Sequence, residues 1–182
     1  MDTKKTDEIP KRKSYGTLIE SLSDNEVMVF GSNLDGFHGA GAAGYASFGV
    51  SGNRWREFDY ASKPDGWQGK WNVKGCSEGI QEGTDGKSYA IPTVVSAGLK
   101  RSIKVLDIVS SILKMYNYAT EHPDLTFLVA GSIGRQPLNG YTHEDMCLMY
   151  IKAGEIPSNV IFSSSYTSKI FKRDEVEPHA DA

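Results

Sequence analysis

Residues 30–44 have the sequence FGSNLDGFHGAGAAG, and this stretch is the most informative in the chain. It follows the apolar run Val27-Met28-Val29-Phe30, which is typical of a buried strand. Small residues dominate the stretch, so the backbone can approach a ligand closely. A helix is predicted to begin within residues 39–45, and its free N–H groups would favour an anion. This order of strand, glycine-rich loop and helix indicates a site for a nucleotide diphosphate.

The glycine pattern allows two other interpretations. Gly39-x-Gly41-x-x-Gly44 has the letters of the dinucleotide-binding fingerprint, but that fingerprint follows its strand at once, whereas eight residues separate Phe30 from Gly39. Glu57 and Asp59 lie near the distance expected for the ribose-binding acid, although no clear second strand leads to them. A glycine- and alanine-rich helix packed against a sheet needs no ligand, but packing alone does not require so long a loop.

The rest of the chain alternates strands with helices. Residues 88–93 predict a short strand stopped by Pro92, and residues 125–130 and 160–162 predict two further strands. Apolar residues recur at helical spacing from Ser102 until Pro123. Thr142 is the predicted N-cap of another helix, with Asp145 in its first turn. The alternation predicts an α/β chain, with a three-layer α/β/α fold around a mostly parallel or mixed central sheet.

Ligands of such folds bind beyond the carboxyl ends of the strands. That rule selects three segments: the first loop (residues 31–44), the second loop (residues 93–101) and the third loop (residues 131–141). The first and third loops are both rich in glycine, so their backbone amides could hold a diphosphate from two sides. Arg135 could pair with a phosphate and Tyr141 could line the edge of the site, although a surface arginine and a half-buried tyrosine are equally good interpretations.

The composition limits the class of protein. The chain has 182 residues, enough for one domain with a substantial core, which we expect at residues 15–171. The charged, apolar-poor residues 1–14 and the tail 172–182 are predicted to be disordered or frayed. A net charge of −3 makes nucleic acid an improbable partner. Without a membrane span or signal peptide, we expect a cytoplasmic protein whose two cysteines serve packing.

An aromatic-rich insertion occupies residues 53–87. Five aromatic residues fall within seventeen positions: Trp55, Phe58, Tyr60, Trp67 and Trp71. They could form a lid on a base, a contact between subunits of a homo-oligomer, or a plug on one side of the core. Gly75-Cys76-Ser77-Glu78-Gly79 has the letters of a nucleophile elbow, but Gly83 and Gly86 follow so closely that the helix this motif needs is not expected.

Four blocks of the chain resemble a macrodomain-like family of bacteria and phages. They are residues 30–34, residues 38–43, Ser88-Tyr89-Ala90-Ile91-Pro92-Thr93, and residues 133–142 with Gly134 and Gly140-Tyr141-Thr142. The resemblance implies an α/β/α module that binds ADP-ribose or a derivative. It places Asn33 near the distal ribose, Gly39, Gly41 and Ala42 in the first diphosphate turn, and Ser132, Ile133 and Gly134 in a second phosphate loop. The chain departs from the family pattern at Phe37 and Gly44.

Two classes of function remain open at this point. A binding module would sense or sequester ADP-ribose or a related linear or cyclic nucleotide. An ADP-ribosyl hydrolase would use Asn33 to orient a water or the ribose, and Asp35, His38 or His143 to handle a proton. We expect neither a cofactor nor a metal, and we favour binding. The candidate ligand-binding residues are Gly31, Ser32, Asn33, His38, Gly39, Ala40, Gly41, Ala42, Thr93, Gly131, Ser132, Ile133, Gly134, Arg135 and Tyr141.

Overall fold

A six-stranded sheet lies at the centre of the computed structural model, which describes residues 10–16, 18–39, 41–48, 76–83, 86–131 and 137–178. The strand order is β1-β6-β5-β2-β4-β3. Along the chain the elements are β1 (Ser14–Tyr15), β2 (Glu26–Asn33), α1 (Gly41–Phe48), β3 (Gly79–Glu82), β4 (Lys87–Val94), α2 (Val105–Glu121), β5 (Thr126–Val129), α3 (His143–Lys152), β6 (Val160–Ser163) and α4 (Ser164–Ile170).

The sheet is mostly parallel, as the alternating pattern predicts. β2 pairs in parallel with β4 on one side and with β5 on the other, and β6 and β1 continue the parallel order. Only β3 is antiparallel among the described strands, and it forms the edge beside β4. The predicted α/β class is therefore confirmed, and the carboxyl ends of β5, β2 and β4 lie side by side.

Both faces of the sheet are covered, which explains why its central strands are apolar on both sides. Successive side chains of β2 point to opposite faces. Val27 and Val29 pack in the cluster that contains α2, α3 and Tyr166 of α4, whereas Met28 and Phe30 pack in the cluster that contains Ala43 and Ala46 of α1. The three-layer arrangement is confirmed, with one described helix on one face and three on the other.

Two strands extend further than the sequence predicts. β2 continues through Gly31 and Ser32 to Asn33, and β4 passes through Pro92 to Val94, with Ser32 opposite Pro92. The expectation that Pro92 stops the strand is wrong. In the described part of the sheet, β3 pairs no further along β4 than Ala90, so Pro92 lies where β4 has a partner strand on one side only.

The described parts of the termini pair with each other. Arg12 and Val176 form an isolated parallel bridge, and the Arg12 guanidinium donates hydrogen bonds to the carbonyls of Ile156 and Pro157. Its Cζ also lies 4.8 Å from the centre of the Phe171 ring. These contacts differ from the expectation of a disordered arm through Ser14 and a frayed tail from Lys172. The single domain at residues 15–171 stays a prediction.

The helix α3 begins at the cap that the sequence predicts. Thr142 Oγ1 accepts a hydrogen bond from the Asp145 N–H at 3.0 Å, and the Asp145 carboxylate accepts one from the Thr142 N–H at 2.9 Å, so α3 begins with a complete capping box. α2 buries Ile108, Ile112 and Met115 at helical spacing. Within the described ranges, no helix has the length and apolar character that crossing a bilayer requires.

Candidate functional site

The three loops meet at the carboxyl edge of the sheet. Asp35 in the first loop accepts a hydrogen bond from Ser96 Oγ in the second at 2.6 Å. The Arg101 N–H in the second loop donates to the Asn139 carbonyl in the third at 2.7 Å. A Cβ added at Gly41 in the first loop would lie 2.9 Å from Leu138 Cδ1 in the third. Each loop therefore lies against the other two, because the strands they follow, β5, β2 and β4, are consecutive in the sheet.

Asn33 is the buried last residue of β2, and its amide organises the first loop. Its Nδ2 donates to the Phe37 carbonyl at 3.0 Å, and its Oδ1 accepts from the Phe37 N–H at 3.1 Å. The Gly36 N–H also donates to the Asn33 carbonyl, which closes a tight turn. The Asn33 side chain thus stabilises the turn at residues 33–37 through its hydrogen bonds to the Phe37 backbone.

We expect Asn33→Ala to lower the free energy of unfolding by about 1–3 kcal/mol, because it removes two buried hydrogen bonds to Phe37. Asn33→Asp is the matched control, since it keeps the acceptor for the Phe37 N–H and loses only the donor. Urea unfolding of the wild type and both variants measures the difference. An Asn33→Ala protein as stable as the wild type would contradict this structural role.

His38 is fully buried, with 0% of its surface exposed. Its ring meets the Phe30 ring edge-on, with centroids 4.9 Å apart. Burial lowers the pKa of His38 to about 4, so the ring is neutral at pH 7. The backbone of Cys76 lies close enough to His38 to raise its pKa slightly, but no described residue makes a hydrogen bond of standard geometry with either ring nitrogen. In this arrangement His38 is a packing residue behind the first loop, since a fully buried ring cannot touch a ligand at the surface.

The glycines of the first loop mark a close approach between segments. Gly41 begins α1 with φ +60°, a conformation that residues with a Cβ rarely adopt. Gly39 is half-buried and precedes it, and Ala42 is half-buried against the core cluster of α1. Ala40 lies outside the described residues. The start of α1 therefore presents backbone rather than side chains to the third loop.

The ends of β2 and β4 form the floor of this edge. Ser32 is buried and donates a hydrogen bond from Oγ to the Ser77 carbonyl. Thr93 is buried, and its Oγ1 donates to the Ser32 carbonyl at 3.4 Å. A Cβ at Gly31 would lie 3.2 Å from Thr93 Oγ1. The hydroxyls of Ser32 and Thr93 thus donate hydrogen bonds to backbone carbonyls. Gly31 allows β2 and β4 to approach each other closely.

The third loop is described at its two ends. Gly131 lies against β6, where an added Cβ would be 2.9 Å from Ser163 Oγ. Tyr141 is buried, and its hydroxyl donates to the Ile103 carbonyl at 2.6 Å. Ser132, Ile133, Gly134 and Arg135 lie outside the described residues, as do all five aromatic residues of the insertion. The described end of the insertion contributes β3, and Cys76-Ser77-Glu78 leads into that strand rather than into a helix.

Four exposed apolar side chains lie on the described parts of the three loops, and none of them was expected from the sequence to contact a ligand. They are Leu34, Val95, Leu99 and Leu138, between 39% and 71% exposed. The Leu34 N–H bonds to the carbonyls of Val94 and Val95, which brings the first two loops side by side. Ligand pockets are lined mainly by apolar side chains. The presence of apolar residues within polar, glycine-rich loops could therefore have identified these four positions from the sequence.

Few of the described groups at this edge could handle a proton. Asp35 is exposed and bonded to Ser96. His143 begins α3, with its Nδ1 3.3 Å from the Tyr166 hydroxyl. In the described ranges no three His, Cys, Asp or Glu residues are grouped to hold a metal ion. Burial raises the pKa of Cys147 to about 11, and that of Cys76 is raised too, so both are thiols at pH 7.

Comparison with known proteins finds similarity among solved structures. No family model and no curated protein matches the chain. Among solved structures it is similar to one of Thermosipho africanus DarTG in complex with ADP-ribose, at 16% sequence identity and a TM-score of 0.43. The similarity covers 77% of this chain and spans 38% of that chain.

Proposed function

We propose that this protein binds ADP-ribose, or a closely related linear or cyclic nucleotide, at the carboxyl edge of its sheet, and that it senses or sequesters this ligand. The single observation that carries the proposal is the close approach of Gly41 and Leu138, which sets the first and third glycine-rich loops side by side. Two such loops on adjacent parallel strands suit a diphosphate. The family resemblance of the same loops points to ADP-ribose.

The chemistry of the edge fits the two parts of such a ligand. Gly39 and Gly41 leave room for phosphate oxygens beside backbone N–H groups at the start of α1. Leu34, Val95, Leu99 and Leu138 supply apolar surface on which a base could pack. A nucleotide diphosphate needs both kinds of surface, and each is provided by the loops that follow β2, β4 and β5.

Binding without turnover is favoured over hydrolysis. A general acid or base must reach the reacting group directly or through one water. His38 is buried and neutral, and the Asn33 amide is already bonded to the Phe37 backbone. We therefore expect wild-type protein to release no free ADP-ribose from an ADP-ribosylated protein substrate under conditions where it binds the free nucleotide.

A thermal-shift series tests the proposal. At a ligand concentration one hundred times Kd, binding should raise the free energy of unfolding by about 2.7 kcal/mol. ADP-ribose, cyclic ADP-ribose, NAD and AMP are compared, with ribose as the control compound. We expect the largest shift with an ADP-ribose compound. The absence of any shift with these nucleotides at millimolar concentration would refute the proposal.

A further inference from the structure

Arg101 has an unusual backbone for its residue type. Its φ is +52°, and in the described part of the chain it is the only residue other than glycine with a positive φ. This left-handed conformation is strained for a residue with a Cβ, whereas glycine adopts it readily. Because arginine is strained in this conformation, its presence indicates that the Arg101 side chain has a function at this position.

The guanidinium of Arg101 is fixed against the end of the third loop. Its Nε donates to the Gly140 carbonyl at 3.0 Å, and its Cζ lies 5.2 Å from the centre of the Tyr141 ring. Nη2 lies 3.5 Å from Asp145 Oδ2 at the start of α3. These three contacts orient the planar group before any ligand arrives, so less side-chain freedom is lost on binding.

The fixed guanidinium still has donors to offer. Arginine carries five N–H donors in a planar fork, and the Gly140 carbonyl uses the one on Nε. No described residue accepts a hydrogen bond from Nη1, and the separation of 3.5 Å from Asp145 exceeds the 2.7–2.9 Å typical of a charge-assisted bond. The side chain is 58% exposed. A phosphate oxygen is a suitable acceptor for such a fork.

The surrounding charge also favours an anion. Lys100 is exposed in the same segment, and it packs against Gly140 of the third loop. The nearest acid on the first loop, Asp35, is bonded to Ser96. Asp145 is the acid in contact with Arg101, and it also accepts the Thr142 N–H in the capping box.

We propose that Arg101 binds a phosphate group of the ligand and so selects phosphate-bearing nucleotides over uncharged nucleosides. This inference rests on the proposed function, because it assigns the ligand's phosphate to the junction of the second and third loops. Arg101 therefore determines specificity through its side chain, whereas Gly39 and Gly41 contact the ligand through their backbone N–H groups.

Calorimetric titration with ADP-ribose at low salt tests Arg101. Arg101→Gln should weaken binding about 10- to 100-fold, the range expected for a lost hydrogen bond to a charged group. Arg101→Lys should recover part of the loss, since it keeps the charge without the fork. Lys104→Gln is the matched control, because it removes one charge nearby without touching the third loop, and it should change Kd by less than about threefold.

Two further measurements separate recognition from folding. Arg101→Gly should unfold at a temperature no lower than the wild type, because glycine accepts φ +52°, and yet bind as weakly as Arg101→Gln. Raising the salt to about 0.5 M should narrow the gap between wild type and Arg101→Gln. Unchanged affinity in Arg101→Gln, or equal losses in Arg101→Gln and Lys104→Gln, would overturn the assignment while leaving the proposed function intact. Failure of wild-type protein to bind ADP-ribose would refute both.

Discussion

Gly41→Val is expected to weaken ADP-ribose binding at least about 100-fold, equivalent to about 2.7 kcal/mol. Valine would place a branched side chain where phosphate must approach the backbone, and its Cβ would lie 2.9 Å from Leu138 Cδ1. The φ of +60° adds strain of about 1–2 kcal/mol. The protein should nevertheless fold, because Leu138 is exposed and can move aside. Calorimetry measures the affinity, and circular dichroism reports the fold.

Gly154→Val is the matched control for the Gly41 variant. Gly154 also has a positive φ, +122°, but a Cβ there meets nothing within 4 Å, and the residue lies after α3 at the opposite end of that helix from the third loop. The Gly154→Val protein should be less stable because of backbone strain, but it should bind ADP-ribose with the affinity of the wild type. If Gly41→Val is folded and binds ADP-ribose as tightly as the wild type, the ligand does not approach the start of α1.

The free energy of unfolding is expected to fall by about 3 kcal/mol between pH 6.5 and pH 4 because of His38. Burial lowers the pKa of His38 from 6.5 to about 4 in the folded protein. Over this interval the unfolded chain binds a proton that the folded protein does not, so stability rises with pH. The contribution of His38 to the free energy of unfolding is complete above pH 6.5 and is lost as the pH falls.

His38→Phe isolates this effect from other acid-sensitive groups. Phenylalanine keeps a ring against Phe30 and cannot titrate, and no described hydrogen bond of the His38 ring is lost. The difference in unfolding free energy between variant and wild type should grow in the variant's favour from pH 7 to pH 4.5. His122→Gln, at the end of α2, serves as the control. A difference that stays constant over this range would show that His38 is not buried and neutral.

The sequence predicts the layers of the fold because burial on both faces leaves a strong pattern. β2, β4, β5 and β6 are apolar runs, and α2 shows its buried residues at helical spacing. The short β1 and the glycine-containing β3 have no such pattern, since pairing with a neighbouring strand defines them. α4 consists largely of serine, threonine and charged residues, and packing of Tyr166 holds it.

The sequence predicts that the three loops lie at one edge of the sheet, but it does not predict the contacts that each residue makes there. The order of strands and glycine-rich segments places three loops at one edge, and the described contacts between those loops agree. Asn33 and His38 looked like ligand contacts because they are polar residues in a bare loop. Burial and the bonds to Phe37 give them structural roles, which only the tertiary packing could show. The left-handed backbone of Arg101 likewise has no signature in composition.

Chemical-shift mapping of the amide resonances during titration with ADP-ribose shows where on the protein the ligand lies. We expect saturable shifts at the glycines that border the carboxyl edge, above all Gly31, Gly39, Gly41 and Gly140, and at Arg101. Amides of the shallow groove between α2 and α3, such as Leu148 and Lys152, should stay in place. Saturable shifts confined to that groove, or none at all at millimolar ADP-ribose, would contradict a nucleotide site between the glycine-rich loops.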